Sequence, residues 1–231
     1  MMQLSKLITG AGLSLFLSFT AAAETLSDSL DNWKNVYPYG EVKKSGESLA
    51  LISTGNWFLL SKARYSDFIL EADVKMPAVD KEYSNSGIIF RAQVGTKKDG
   101  TQYAYGYQAE VDPSDRKWSG GLYEQGTARQ WLFPQHKTRS KPGEKFKKNL
   151  SPEWTDKKAN AYKHTQWNHY KIKAQGEHIQ IWVNDVLTVD VIDSNLSEGH
   201  VGIQHHGSAK FKNHGDRTNT VLFKNIQITP L

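Results

Sequence analysis

Glu110 and Asp112 stand two residues apart, and Gln108 stands two before Glu110, in a run at 103–112 that alternates along its length. Side chains of an extended chain point alternately to opposite faces. Gln108, Glu110 and Asp112 therefore share one face, and Tyr105, Tyr107, Ala109 and Val111 share the other. Carboxyl groups on a polar sheet face can serve as general acid or base if their pKa is tuned. In the preceding run, 87–94, Ile88 and Phe90 fall on one face, and Ile89 and Arg91 on the other. A guanidinium on a central strand must be solvated or paired, and Glu110 is the natural partner for Arg91. The plainer outcome is a structural ion pair on a wet face; the sharper one is the floor of a groove.

The same parity gathers more polar groups. In 178–184, Ile179, Ile181 and Val183 point one way, and Gln180, Trp182 and Asn184 the other. In 201–206, Val201, Ile203 and His205 alternate with Gly202, Gln204 and His206. The apolar members belong in a core, which leaves Trp182, Gln204 and His206 on polar faces and turns His205 inward as a satisfied core histidine. Histidine titrates near neutrality, so His206 is a candidate for proton transfer. Indole, amides, imidazole, guanidinium and carboxylates suit a carbohydrate groove, where hydroxyls need polar partners and the C–H face of a sugar needs an aromatic ring.

These side chains need strands to carry them. Alternation predicts strands at 49–53, 57–60, 68–76, 87–94, 103–112, 169–174, 178–183, 186–191, 200–205 and 221–228. Gln175-Gly176-Glu177 and Asn184-Asp185 mark hairpins. No long helical period and no internal repeat interrupts the pattern. Many short strands with frequent turns predict an all-β sandwich of two antiparallel sheets. The segment 134–166 carries no strand pattern and reads as a long irregular loop, a lid or rim beside the groove.

Several stretches together resemble a known family. NSGIIFR at 85–91, GYQAEVDPSDRKWSGGLYEQG at 106–126, RQWL at 129–132, WNHYKI at 167–172, IWVNDVLTVDV at 181–191, VGIQHHG at 201–207 and FKNIQI at 223–228 resemble the 3-keto-disaccharide hydrolase domain family. The resemblance covers most of the chain after residue 50. It implies a concanavalin A-like, jelly-roll β-sandwich and action on the glycosidic bond of 3-keto-glycosides. A C3 carbonyl acidifies the C2 proton, so a base removes it, the C1 aglycone leaves by β-elimination, and water completes a net hydrolysis. On that route Glu110 and His206 are the expected base and acid, in either order. Arg91, or a bound divalent cation, is expected to stabilise the enolate. Gln108, Asp112, Tyr123, Arg129, Trp182 and Gln204 are the expected sugar-binding residues.

Composition sets the remaining bounds. Residues 1–23 read as a secretory signal: Lys6, an apolar run at 7–19 too short to span a bilayer, and Ala21-Ala22-Ala23 before Glu24. The expected product is an exported, periplasmic or secreted protein with one domain at 24–231 and no membrane insertion. With no cysteine, disulfides, thiolate metal sites and cysteine nucleophiles are excluded. A formal charge of +5, without a basic helix, gives no reason to expect nucleic acid. There is no compact metal-ligand motif, so any metal would have to be assembled from separate strands, for example by His206 with Glu110. Two alternatives stand beside the keto-sugar enzyme. Glu110-Val111-Asp112 with Asp115 resembles the carboxylate strand of retaining glucanases, although Pro113 breaks the row. A non-catalytic, lectin-like carbohydrate-binding module would use the same groove.

Overall fold

The computed structural model describes residues 22–231. All but the last two residues of the expected leader, 1–23, lie outside the described residues. The strands in chain order are β1 (Glu24–Thr25), β2 (Trp33–Asn35), β3 (Glu41–Ser45), β4 (Ser48–Ile52), β5 (Trp57–Ser61), β6 (Phe68–Lys75), β7 (Ser86–Thr96) and β8 (Gln102–Val111). They continue as β9 (Leu122–Gln125), β10 (Gln130–Phe133), β11 (Phe146–Asn149), β12 (Asn168–Gln175), β13 (His178–Val183), β14 (Val186–Asp193), β15 (His200–His205) and β16 (Val221–Pro230). Two short helices, α1 (Asp156–Ala159) and α2 (Ala209–His214), sit in connections.

Two antiparallel sheets face each other. The nine-stranded sheet runs β11-β14-β13-β12-β6-β16-β4-β3, with β1 added beside β16. The seven-stranded sheet runs β10-β9-β8-β7-β15-β5-β2. Every ladder pairs strands antiparallel, so the fold is the expected jelly-roll sandwich. The core is the set of apolar parities. Phe68, Leu70, Ala72 and Val74 of β6 and Tyr170, Ile172 and Ala174 of β12 bury against Ile88 and Phe90 of β7, Tyr107, Ala109 and Val111 of β8, and Val201 and Ile203 of β15. Burying such side chains contributes roughly 1.5–3 kcal/mol each, the main driving force for a chain without disulfides.

The outer face of the seven-stranded sheet is divided in two. At one end Phe58, Leu60, Ile89, Ala92 and Ala104 form a second apolar cluster, covered by Val36, Tyr37 and Val94. At the other end the same face is polar and carries Gln108, Glu110 and Gln204. Register explains the division. Gln108 pairs across β7 with Ile89 and across β9 with Tyr123, and Tyr123 pairs with Trp131 of β10. One row thus passes from apolar to polar along its length.

The segment 134–166 is less bare than its sequence suggests. It contains β11, which closes the edge of the nine-stranded sheet on β14, and α1. Its Trp154 packs edge-on against Phe133, with ring centroids 5.7 Å apart. A four-residue strand rich in lysine shows no apolar alternation, so only its pairing reveals it. Among the described residues no helix is long and apolar enough to cross a membrane.

Candidate functional site

A cavity of about 290 Å³ opens on the polar half of that outer face. Gln108, Glu110, Tyr123, Gln204 and His206 line it, as do Tyr83, Asn85, Arg116, Gln125, Trp131 and Arg139. Five of the nine expected site residues are therefore brought together from β8, β9, β15 and the turn after β15.

Gly87 makes the floor. It faces Glu110 across the β7–β8 ladder, and a methyl group there would come within 2.4 Å of Gln108 Nε2. The missing side chain lets the Gln108 amide lie across β7 and donate from Nε2 to Gln204 Oε1 at 3.0 Å. Gln204 Nε2 in turn donates to Asn56 Oδ1 at 2.7 Å. The two floor amides are thus fixed, and both are almost fully buried.

Glu110 is 6% exposed. Its main chain is pinned from three directions: its N–H donates to Gly121 O at 3.0 Å, its carbonyl accepts from Gly120 N at 2.7 Å, and it also accepts from the Tyr170 hydroxyl at 3.0 Å. Burial pushes its carboxyl pKa up to about 8; a hydrogen bond from Asn85 works against that shift, and the nearby Asp112 charge adds to it. His206 sits at the rim, exposed, with its ring edge-on to Tyr83 at 5.4 Å. Desolvation by the protein packed around the rest of the ring lowers its pKa despite that exposed edge, and the Asp112 charge opposes the shift. The cavity thus shifts the carboxyl toward its protonated form and the imidazole toward its neutral form.

Four expected site residues lie elsewhere. Arg91 neither pairs with Glu110 nor reaches the cavity. The β7–β8 register shifts between Phe90 and Gln93, and Arg91 takes a left-handed φ of 48°. This bulge breaks the alternation, so Ala92 rather than Arg91 continues the face of Ile89. The Arg91 side chain is fully buried and donates to Ser66 O, Gly176 O and Leu196 O at 2.7–3.1 Å, and to Asp67 Oδ1 at 3.3 Å. It ties loop ends together. Trp182 does point away from the core, but from the other sheet, where Lys171 lies over its ring at 5.6 Å. A sandwich has two solvent faces, and parity alone does not say which one a residue joins.

Arg129 is turned inward. It bridges Glu124 Oε2, at 3.0 Å, and the Asp193 carboxylate, and Asp193 also accepts from the Tyr107 hydroxyl. This network joins the two sheets at one end of the core. Asp112 is buried and held by Arg116 through Nη2, at 2.6 Å, and Nε, at 3.1 Å. It faces a separate cavity of about 170 Å³ with Ser114, Tyr162 and His164. The two carboxylates of Glu110-Val111-Asp112 thus open into different spaces, unlike a pair flanking one scissile bond.

Arg116 and Arg139 bring to the cavity the positive charge expected of Arg91. Arg116 stacks over Trp118 and Trp131, at 5.4 and 5.3 Å from their centroids. Arg139 comes from the root of the 134–166 segment, which is anchored where Trp131 N donates to Arg139 O at 3.0 Å. Neither arginine lies on a strand, so alternation gave no signal for them. Asn85 and Trp131 stood inside motifs already singled out, but one precedes its strand and the other lies in a stretch where no alternation was read, so neither carried a polar parity. Among the described residues no group of three or more His, Asp or Glu side chains is placed to hold a metal ion.

Comparison with known proteins bears on the family and the fold. The family described as the 3-keto-alpha-glucoside-1,2-lyase-like domain matches residues 22–229. A levanase of Bacillus subtilis (strain 168) is 27% identical over 152 residues, which is 65% of this chain but only 18% of the levanase. The carbohydrate-binding module CBM66 from Bacillus subtilis superposes with a TM-score of 0.53 at 22% identity, over 86% of this chain and 95% of the module. A 1,3-alpha-1,4-beta-D-galactose-4-sulfate-3,6-anhydro-D-galactose 4 galactohydrolase superposes with a TM-score of 0.51 at 11% identity, over 90% of this chain and 92% of that enzyme. At such identities the structural likenesses speak for the fold alone.

Proposed function

We propose a function from one premise: the chain belongs to the 3-keto-alpha-glucoside-1,2-lyase-like domain family. The substrate is a 3-keto-glycoside, and the reaction is elimination of its aglycone across C1 and C2, followed by hydration. His206 takes the C2 proton, and the electron pair moves into the C3 carbonyl as an enolate. The enolate collapses to an enone, the C1–O bond breaks, and Glu110 gives its proton to the departing oxygen. Water added across the new double bond completes a net hydrolysis. Arg116 and Arg139 supply positive charge toward the enolate, and Gln108, Gln204 and Tyr123 bind hydroxyls.

The observation that carries this reading is the opposite displacement of two titrating groups in one cavity. Glu110 is pushed up to about 8 and His206 is lowered below 6.5. Two groups whose pKa values are moved apart by their surroundings mark an acid and a base. A binding module needs the floor amides but has no use for that pair. We further propose that the protein acts after export, once the leader at 1–23 is removed.

The test is turnover of a 3-keto-disaccharide beside its unoxidised parent. The expected result is release of the aglycone sugar from the keto form alone. Equal turnover of both, or of neither, overturns the proposal.

A further inference from the structure

Two buried polar atoms of the cavity have no hydrogen-bond partner among the described residues: Gln108 Oε1 and Trp131 Nε1. Their residues are 1% and 2% exposed. Leaving such an atom without a partner costs about as much as a lost hydrogen bond, and native interiors rarely tolerate it. Both residues line the same cavity, and both stand in the same cross-strand row, Gln108–Tyr123–Trp131. With strands about 4.8 Å apart, two steps separate their backbones by roughly 10 Å, so the two unpartnered atoms belong to neighbouring parts of one wall.

The indole of Trp131 is not free to stack a sugar. Trp118 meets it edge-on at 4.8 Å and Tyr123 at 5.2 Å, and the Arg116 guanidinium lies over the ring at 5.3 Å. What it has left to offer is the N–H. Gln108 is likewise committed: its Nε2 is used on Gln204, which fixes the amide and leaves Oε1 as an acceptor. One rigid donor and one rigid acceptor therefore stand in the wall of one cavity, with Tyr123 on the strand between them.

We propose that Trp131 and Gln108 are specificity-determining residues that read the hydroxyl pattern of a single neutral sugar ring. Trp131 Nε1–H donates to one ring substituent oxygen, and Gln108 Oε1 accepts from another hydroxyl of the same ring. This rests on the cavity being the sugar site proposed above, and it goes beyond the acid–base pair by saying what the site selects. A ligand oxygen that cannot donate leaves Gln108 unpaired, so the ring is required to carry a hydroxyl at that point. A site built to bond a hydroxyl rejects the analogue that lacks it far better than an apolar pocket rejects an extra one.

Two measurements test it. In the first, Trp131→Phe keeps an aromatic ring and removes the donor. With methyl 3-keto-α-glucoside, kcat/KM is expected to fall roughly 5- to 100-fold. One of the 2-, 4- and 6-deoxy analogues should lose a similar factor on the wild-type protein and nothing further on Trp131→Phe, the coupling expected of direct partners. A folded variant with wild-type kcat/KM and unchanged analogue preference overturns the proposal. The second measurement needs no variant to fold. In ¹⁵N-labelled wild-type protein, the Trp131 indole N–H resonance is expected to move and gain protection from exchange on titration with methyl α-glucoside or its 3-keto form. Binding seen by calorimetry with that resonance unmoved overturns the proposal. If the protein binds the unoxidised sugar, shifts this resonance and turns over no keto sugar, the enzymatic reading fails while the recognition reading stands.

Discussion

The Asn85 side chain donates from Nδ2 to Glu110 Oε2 at 3.3 Å, while its own carbonyl accepts the His206 N–H at 3.2 Å. One buried amide thus holds the proposed acid in place by its side chain and the proposed base by its backbone. The bond to Glu110 also opposes the upward displacement of that carboxyl, because a donor favours the charged form.

A pH profile follows from that contact. On the proposed mechanism, activity requires His206 neutral and Glu110 protonated. The rate constant kcat/KM should therefore fall on the acid side below 6.5, where His206 gains a proton, and on the alkaline side near 8, where Glu110 loses one. Asn85→Ala removes a group that lowers the Glu110 pKa, so the alkaline limb should move to higher pH while the acid limb stays. A shift of the alkaline limb downward would show that Glu110 is not the group behind it.

Glu110→Gln separates catalysis from folding. Loss of the proton donor should cost roughly 10²–10⁴ in rate, with sugar binding retained because an amide still bonds hydroxyls. Stability should move the other way. The folded carboxyl titrates near 8 instead of 4.5, so between those values the unfolded chain has released a proton that the folded protein keeps. Wild-type stability is therefore full below 4.5 and declines through this window, at up to about 1.4 kcal/mol per pH unit from this group. Glutamine does not titrate, so denaturation curves from pH 5 to 8 should show the variant gaining on the wild type as pH rises. Parallel curves would mean that Glu110 is already ionised at neutrality.

How far the sequence disclosed this site depended on local regularity. Gln108, Glu110 and Gln204 lie on unbroken strands, where a period of two carries a residue to a definite face, and parity placed them together. His205 was read as inward, and it is: its Nε2 bonds Asn219 O at 2.8 Å in the core. Arg91 was misplaced because one extra residue in β7 inverts everything beyond it, and nothing in IIFRAQV announces a bulge. Trp182 obeyed its parity yet joined the opposite sheet, since strand order is set by long-range pairing that alternation does not encode. Arg116 and Arg139 come from turns, where no period exists to read.

The buried arginine can be tested directly. Arg91→Met keeps the volume of the stem but leaves three backbone carbonyls without their donor. The loss should be on the order of 3–5 kcal/mol, as for breaking a buried charged contact. The melting temperature should drop strongly, while kcat per folded molecule stays at the wild-type level, because Arg91 does not line the cavity. A variant of normal stability with collapsed kcat would return Arg91 to the reaction.

Gly87→Ala probes the floor without touching any reacting group. Its backbone is that of an ordinary strand residue in β7, so alanine is conformationally acceptable there. The added methyl would lie 2.4 Å from Gln108 Nε2 and 2.8 Å from its Cγ, closer than real contacts allow, so the Gln108 side chain must swing away. That movement breaks the 3.0 Å bond to Gln204 Oε1 and re-aims Gln108 Oε1. The clash falls on the side chain from Cγ outward and not on the main chain, so the Gln108 side chain takes up the movement. Stability should change by about 1 kcal/mol, the worth of one net hydrogen bond. KM for the glycoside should rise roughly tenfold with kcat little altered, the signature of lost uniform binding. Steady-state kinetics beside a melting curve checks both, and an unchanged KM in a folded Gly87→Ala protein would remove the Gln108 amide from substrate recognition.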